Sequence, residues 1–258
     1  MDRRRLKKIL PVVIVFGIVI YSAAGINYSE VSQIKFSNVQ SVFAGLFQPD
    51  WSYVYDGSGE DLLGLLFLTI CIAFLGTIIA TILALPLAFL SAHNLWKSTR
   101  MVSRVGKFFC NILRAFPELV YAIIFVKMVG PGPFAGVLAI GIHQIGMLGK
   151  LYTEEIESMD EGPVESMEAV GANFWQILFY ARLPQLIPTF ISFSLNHFEI
   201  AVRSAATLGL VGAGGIGAPM IFAIQSRAWD KVGIILLGII VTVFIIDTFT
   251  GYLRKKLQ

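Results

Sequence analysis

The sequence predicts an all-α integral membrane fold: six transmembrane helices with a helical foot on the cytoplasmic side. Three observations predict it. The chain is 56% hydrophobic and only 14% charged, with a mean hydropathy of +0.74. Soluble domains carry roughly 25% charged residues. Six apolar runs approach the roughly 20 residues that a spanning helix needs. One long polar segment lies between the fourth and fifth runs and carries helix start and stop signals of its own. The whole of 1–258 therefore reads as one transmembrane domain: helix 9–25, an external loop 26–61, helices within 62–148, a cytoplasmic loop 150–185 and helices within 186–253.

The six runs are 9–25, 62–90, 112–129, 134–148, 186–204 and 232–253. A secretory signal is the rival reading of the first, because cations precede it and Ser22, Ala23 and Ala24 end it. The polytopic remainder favours an uncleaved helix. The second run is long and holds Pro86 near its end, where a kink is expected. Gly130, Pro131, Gly132 and Pro133 form a tight turn, so the third and fourth helices should be antiparallel neighbours. The loop 26–61 carries Trp51, Tyr53 and Tyr55, which suit a bilayer interface. Cys71 and Cys110 have no metal or disulfide spacing and read as small packing residues.

Orientation follows from basic residues in short loops. Arg3, Arg4, Arg5, Lys7 and Lys8 lie at the start; Lys97, Arg100, Arg104 and Lys107 follow the second run; Arg254, Lys255 and Lys256 lie at the end. The other side has Lys35, Lys127 just before the Gly-Pro turn, Arg227 and Lys231. Six spans with both termini cytoplasmic satisfy this asymmetry and make 150–185 cytoplasmic.

That segment opens with Glu154, Glu155, Glu157, Asp160 and Glu161. Pro163 suits a first helical turn. Val164, Met167, Val170 and Gly171 recur at helical spacing, and Gly171 can take the left-handed conformation that ends a helix. Asn173 and Gln176 have capping-box spacing, so a second helix should begin there. Phe174, Trp175, Leu178 and Phe179 give it a bulky apolar face, and Pro184 and Pro188 should break it before the next span. Such a knob can sit in a partner's groove. The alternative is an amphipathic loop lying on lipid headgroups, which the acidic residues oppose because the inner leaflet is itself anionic.

The pattern of Glu165, five residues, Gly171, nine residues, then Ala181, one residue, Leu183 and Pro184 resembles the EAA loop of ABC importer permeases. There the loop reads Glu-Ala-Ala, three residues, Gly, nine residues, Ile-x-Leu-Pro. Here Ser166 and Met167 replace the two alanines and Ala181 replaces the isoleucine. The resemblance implies that the loop is a coupling helix docked on a nucleotide-binding ATPase subunit. Glu165, Met167, Gly171, Phe174, Trp175, Leu183 and Pro184 would be the docking and shaping residues. ATP and Mg would bind that partner, leaving this chain without a cofactor of its own.

In the fifth run Ser192, Asn196, Glu199 and Arg203 share one helical face, with His197 and Ser204 beside it. Ionisable residues in a span are costly and face a cavity or another helix. The stripe either lines a translocation path or holds an internal Glu199–Arg203 ion pair that locks helices. Arg114 and Glu118 are a similar i, i+4 pair, and His143 reads as a packed, hydrogen-bonded histidine.

Gly212, Gly214 and Gly217 satisfy G-x-G-x-x-G, but between two spans this is not a dinucleotide site, which needs a βαβ unit. A tightly packed or re-entrant segment forming an external gate is the better account. The run from Asn196 to Gly217, with Arg203, Ser204 and Ala205, is similar to permeases of phosphonate-type importers, as is Arg114 to Pro117. That resemblance implies a permease subunit in a bacterial cytoplasmic membrane, transporting an oxyanion such as a phosphonate, phosphite or phosphate ester. Its implied partners are cytoplasmic ATPase subunits, an extracytoplasmic substrate-binding protein, a second copy of the chain and membrane lipid, with no nucleic acid.

No G-x-x-x-x-G-K-[ST] sequence occurs: before Gly149 and Lys150 the required glycine position holds Gln144. Neither H-E-x-x-H nor G-x-S-x-G is present, which opposes a membrane enzyme. Another small solute, or a proton-coupled carrier using His197 and Glu199, are the alternatives.

Overall fold

The computed structural model describes residues 3–25, 36–55, 57, 59–95 and 100–257. Lys35 and Lys97 of the charge argument lie outside them. The described residues are helical with short 3-10 and π turns and contain no strand. The chain divides into two compact units, Met1–Ala44 and Gly45–Gln258.

In the first unit lie α1, Arg3–Ala24, and most of α2, Phe36–Phe47. The side chains of α1 from Val12 onward are exposed, as lipid-facing residues would be. Helix α2 corrects the reading of 26–61 as loop. Phe36, Val39, Phe43 and Phe47 recur near helical spacing and lie exposed along it.

The second unit is built around α3, Leu62–Ser91, and α6, Pro133–Ser158. Asp61 caps α3 by accepting from the Gly64 N–H at 2.8 Å. Small residues bring α3 and α6 together: Ala73, Ala80, Ala84 and Ala88 are fully buried, and a Cβ on Gly76 would meet Ile140. Close backbone approach through Gly and Ala is how helices associate without a hydrophobic drive from water. Helix α11, Trp229–Leu257, packs on α3 near Leu62 and Leu66 and also on α9, Leu183–Leu208.

Three described helices are long and apolar enough to cross a bilayer by themselves: Leu62–Ser91, Pro133–Ser158 and 229–256. The expected span 112–129 is not one helix. It divides into the end of α4, Arg100–Ala115, and α5, Glu118–Val129. Pro117 is the cause, since it supplies no N–H and disfavours helix at Phe116. Helix α4 is strongly amphipathic. Lys107 ties it to Glu157 of α6 at 2.8 Å, and Glu157 also accepts from the His93 backbone N–H at 2.9 Å. Glu157 is thus a clamp between the end of α3, α4 and α6, not part of a free acidic lead-in. Helix α6 itself runs about three turns beyond the expected 134–148.

The expected break at Pro184 and Pro188 is absent. Helix α8, Phe174–Ile177, passes through a π turn at Leu178–Arg182 directly into α9. Pro184 sits in the first turn of α9, where its missing N–H is harmless, and Pro188 is carried within the helix. The expected antiparallel pair at the Gly-Pro turn is present as α5 and α6.

Candidate functional site

The foot is assembled by local chemistry. Helix α7, Gly162–Ala169, starts with Pro163 in its first turn. It ends in a Schellman motif: the Ala172 N–H donates to the Met167 carbonyl and the Gly171 N–H to the Glu168 carbonyl, each at 3.0 Å. Gly171 has φ of +80°, which a side chain would strain. Asn173 then caps α8 with a complete capping box, Asn173 Oδ1 accepting from Gln176 N–H at 2.9 Å and Gln176 Oε1 from Asn173 N–H at 2.8 Å.

Val164, Ile177 and Ala181 form a small buried core that holds the two short helices together. The bulky residues point away from it. Phe174 is 58% exposed, Trp175 64%, Phe179 57% and Val170 82%. The rings of Phe174 and Trp175 meet edge to face at 5.6 Å, and Trp175 stacks on Phe179 at 6.4 Å. Val170 therefore departs from the helical spacing expected with Val164 and Met167, because the helix has already ended there. Glu165 and Pro184 are exposed beside this surface; Met167 and Leu183 are half-buried. Behind it, burial pulls the Arg182 guanidinium below its ordinary pKa, and Glu168 and Glu161 oppose that shift. A rigid, convex, aromatic surface of this kind is suited to a groove on another protein.

The polar face of α9 does not act as one stripe. Glu199 is 5% exposed and bonds away from Arg203. Its carboxylate accepts from the Thr250 hydroxyl and lies 2.7 Å from Arg254 Nη2, both on α11. The expected Glu199–Arg203 pair is absent, and Arg203 is exposed. Ser192 and Asn196 are half-buried. A residue the pattern passed over also makes polar contacts on this helix: Ser194 lies 2.6 Å from the Tyr152 hydroxyl and accepts from Thr81 Oγ1 at 3.3 Å. The expected Arg114–Glu118 pair is also absent. Arg114 Nε donates to Asn111 Oδ1 at 3.2 Å, while Glu118 Oε1 is buried without a hydrogen-bond partner.

The glycine segment is tightly packed backbone. Gly212 and Gly214 have φ of +87° and +81°. The Gly132 N–H donates to the Gly212 carbonyl at 2.9 Å, joining the segment to the α5–α6 turn. A Cβ on Gly217, the first residue of α10 (Gly217–Gln225), would collide with the Ala206 carbonyl oxygen of α9. The Ile216 N–H donates to Thr69 Oγ1 of α3 at 2.9 Å.

Comparison with known proteins extends these observations. Residues 84–258 match the family model described as binding-protein-dependent transport system inner membrane component. A phosphite transport system permease protein of Stutzerimonas stutzeri is 40% identical over 190 residues, covering 74% of this chain and 69% of that protein. A phosphate-import permease protein of Mycolicibacterium smegmatis is 36% identical over 203 residues, covering 79% of this chain and 38% of that protein. In fold, the chain is similar to the inward-facing MetNI methionine ABC transporter, with a TM-score of 0.67 and 17% identity over 79% of this chain and all of the matched one. The chain belongs to the family of binding-protein-dependent transport system inner membrane components: it is a permease subunit of an ABC importer, a transport component rather than an enzyme.

Proposed function

We propose that this permease forms the membrane path for a phosphorus oxyanion (a phosphonate, phosphite or phosphate ester) handed over by an extracytoplasmic binding protein. Two copies of the chain make the path. Each spans the bilayer six times with both termini cytoplasmic, and α4 and α5 together make one crossing. A cytoplasmic ATPase subunit receives the foot, so that Glu165, Gly171, Phe174 and Trp175 serve docking while ATP and Mg stay on the partner. Arg203, exposed on α9, lines the path, and the segment from Gly212 to Gly217 forms its external gate.

The observation that carries the coupling half of this reading is the aromatic surface at Phe174, Trp175 and Phe179, which the chain leaves uncovered on a foot stiffened by two caps. The relatives, permeases of phosphite transport and phosphate import, support the substrate class. Glu199 is engaged by Thr250 and Arg254, so it serves to hold α9 against α11 rather than to line the path.

The test is reconstitution of the permease with its ATPase and binding protein in liposomes. ATP inside the cytoplasmic-facing compartment should drive uptake of labelled phosphite or methylphosphonate, and a proton uncoupler should leave it unchanged. Glu165→Lys should abolish co-purification of the ATPase. ATP-independent uptake that collapses with the uncoupler, or a foot that can be deleted without loss of the ATPase, would remove this function.

A further inference from the structure

Helices α3, α9 and α11 leave a groove of about 370 Å³ between them. Its apolar walls are Ile78 and Ile82 of α3, Leu195 of α9, and Phe249 and Leu253 of α11. Phe74 and Phe198 meet edge to face at 5.8 Å and mark one end of it. From Phe74 to Ile82 is about 12 Å along α3. Phe74, Ile82 and Phe249 are exposed, so the groove is open along its side. Four hydroxyls also line it. Thr81 donates to Ser194 at 3.3 Å, Ser194 lies 2.6 Å from the Tyr152 hydroxyl, and Thr250 donates to Glu199. Thr77 differs: the residue is 5% exposed, and its Oγ1 is buried without a hydrogen-bond partner.

A helical threonine ordinarily spends its hydroxyl on the carbonyl one turn back, as Thr69 does at 2.7 Å and Thr250 at 2.8 Å. Thr77 does not, and an unpaired hydroxyl in an apolar wall calls for an acceptor from outside the chain. Charge lies close to it. A Cβ on Gly238 of α11 would meet Leu62 and Leu66 of α3, so the two helices run side by side from there. About sixteen residues further on, Arg254 comes level with Ile78 to Ile82. Thr77 is therefore roughly one turn, ~5 Å, from the basic end of α11. There Arg254 lies 2.7 Å from Glu199, while Lys255 and Lys256 are exposed. Arg254 thus neutralises Glu199, and Asp247 is about 12 Å from Lys255 along α11.

We propose that this groove is a binding site for one anionic phospholipid. The phosphate sits at Lys255 and Lys256, the Thr77 hydroxyl donates to an ester carbonyl, and one acyl chain runs past Phe249 to Phe74 and Phe198. Phosphate, ester and chain follow one another along a glycerophospholipid in the order in which lysines, hydroxyl and aromatic rings follow one another along the groove. The three parts of the site need all three parts of such a lipid: the cations an anion, the buried hydroxyl an acceptor, the apolar walls a hydrocarbon. Seated there, the lipid joins α11 to α3 beside the Glu199–Arg254 contact and touches α9, the helix that continues from the foot. The site is independent of which solute the permease carries.

The experiment is native mass spectrometry of the purified full-length permease in detergent, titrated with dioleoylphosphatidylglycerol or with zwitterionic dioleoylphosphatidylcholine. Two lysines at the membrane surface favour an anionic lipid by about 5- to 30-fold, so phosphatidylglycerol should fill one tight site per chain with a preference in that range. Changing Lys255→Gln and Lys256→Gln together should bring the ratio close to one and leave phosphatidylcholine binding unaltered. Thr77→Val, nearly isosteric, should weaken both lipids several-fold and keep the ratio. An ether-linked phosphatidylglycerol, which has no ester carbonyl, should bind several-fold more weakly than the ester lipid, and equally to Thr77→Val and the unaltered chain. Should Thr77→Val fail to fold, the ether lipid reads the same contact without it. Ile78→Trp fills the groove and should remove the tight site for both lipids. Equal binding of the two lipids by the unaltered chain, an unchanged ratio in the double lysine variant, an ether lipid as tight as the ester, or a tight site that survives Ile78→Trp would each overturn the proposal. So would a shift from dimer to monomer in Ile78→Trp at constant lipid occupancy, which would give the groove to a second copy of the chain.

Discussion

The Glu199–Arg254 pair decides between a path-lining and a structural role for α9, and its energetics can be worked from its surroundings. Glu199 is 5% exposed, and the Arg254 side chain 31%. Removing one partner of a buried pair costs about 3–5 kcal/mol because the other charge is stranded. Arg254 reaches solvent, so the low end applies: Arg254→Met should cost ~3 kcal/mol. Glu199→Gln is milder, because its amide oxygen still accepts from Thr250 and Arg254. The loss is the charge-assisted part of those bonds, about 1 kcal/mol. The double variant strands no anion and should be more stable than Arg254→Met alone. Thermal unfolding of the purified chain, followed by tryptophan fluorescence, reads this directly. At roughly 2–4 °C per kcal/mol for a domain of this size, Arg254→Met should melt about 6–12 °C lower. Uptake at a permissive temperature should survive in Glu199→Gln. Additive losses in the double variant would refute the pairing argument. Lost uptake in Glu199→Gln with unchanged melting would place Glu199 in the path.

Trp175→Ala should leave the melting temperature of the isolated permease within the ~0.5 kcal/mol expected of a surface change, yet reduce ATPase co-purification at least tenfold, as loss of an aromatic anchor does. Gly171→Ala meets no atom within 4 Å, so its cost is the left-handed backbone alone, ~1–2 kcal/mol, confined to the foot. Hydrogen exchange of the α7 amides should rise while that of α3 and α6 stays constant. Gly217→Ala forces a methyl into the backbone of Ala206 and Gly209 and should cost about 3 kcal/mol, at the upper end of overpacking, visible as reduced membrane yield. Deleting Tyr180, which is 76% exposed in the π turn, converts that turn to α-helix and rotates the foot by about 100° about α9. The permease should still fold, but ATP hydrolysis should no longer drive uptake.

Much of the foot was legible because its determinants are local. Pro163, Gly171, Asn173 and Gln176 act on backbone groups within a few residues, and each occupies the expected position. The pairings were not legible. Glu199 has Arg203 one turn away, yet its partner is Arg254, far along the chain, because the rotation of α9 faces Glu199 to α11. Helical spacing fixes which residues share a face but not what that face meets. The apolar run through Ile112 to Val129 concealed a break, since hydropathy averages across Pro117. Helix α4 escaped notice for the opposite reason: its cations lower the mean hydropathy while its periodicity is strong. The foot's aromatics were identified as a face, but only the small core of Val164, Ile177 and Ala181 shows that this face points outward.

One helix joins the foot to the membrane chemistry. Helix α9 is about 39 Å long at 1.5 Å per residue. It continues from the foot through the π turn, and Leu186 and Phe190 are held in the same buried cluster as Tyr152, Ala84 and Ala88. Ser194 bonds to Tyr152 and Thr81, Glu199 to α11, and Ala206 packs against Gly217. Breaking several of these contacts together would cost more than moving the packed helices as a body, since cores are close-packed and deform little. A tilt of about 10° at the foot displaces the far end of such a rod by roughly 7 Å. The contacts at that far end are the ones least able to follow smoothly: an interrupted helix at Pro117 and a glycine backbone without intervening side chains. If the foot docks as proposed, displacement applied there would be expressed where α9 meets Gly217, with the foot-side half, through Tyr152 and Ser194, transmitting it.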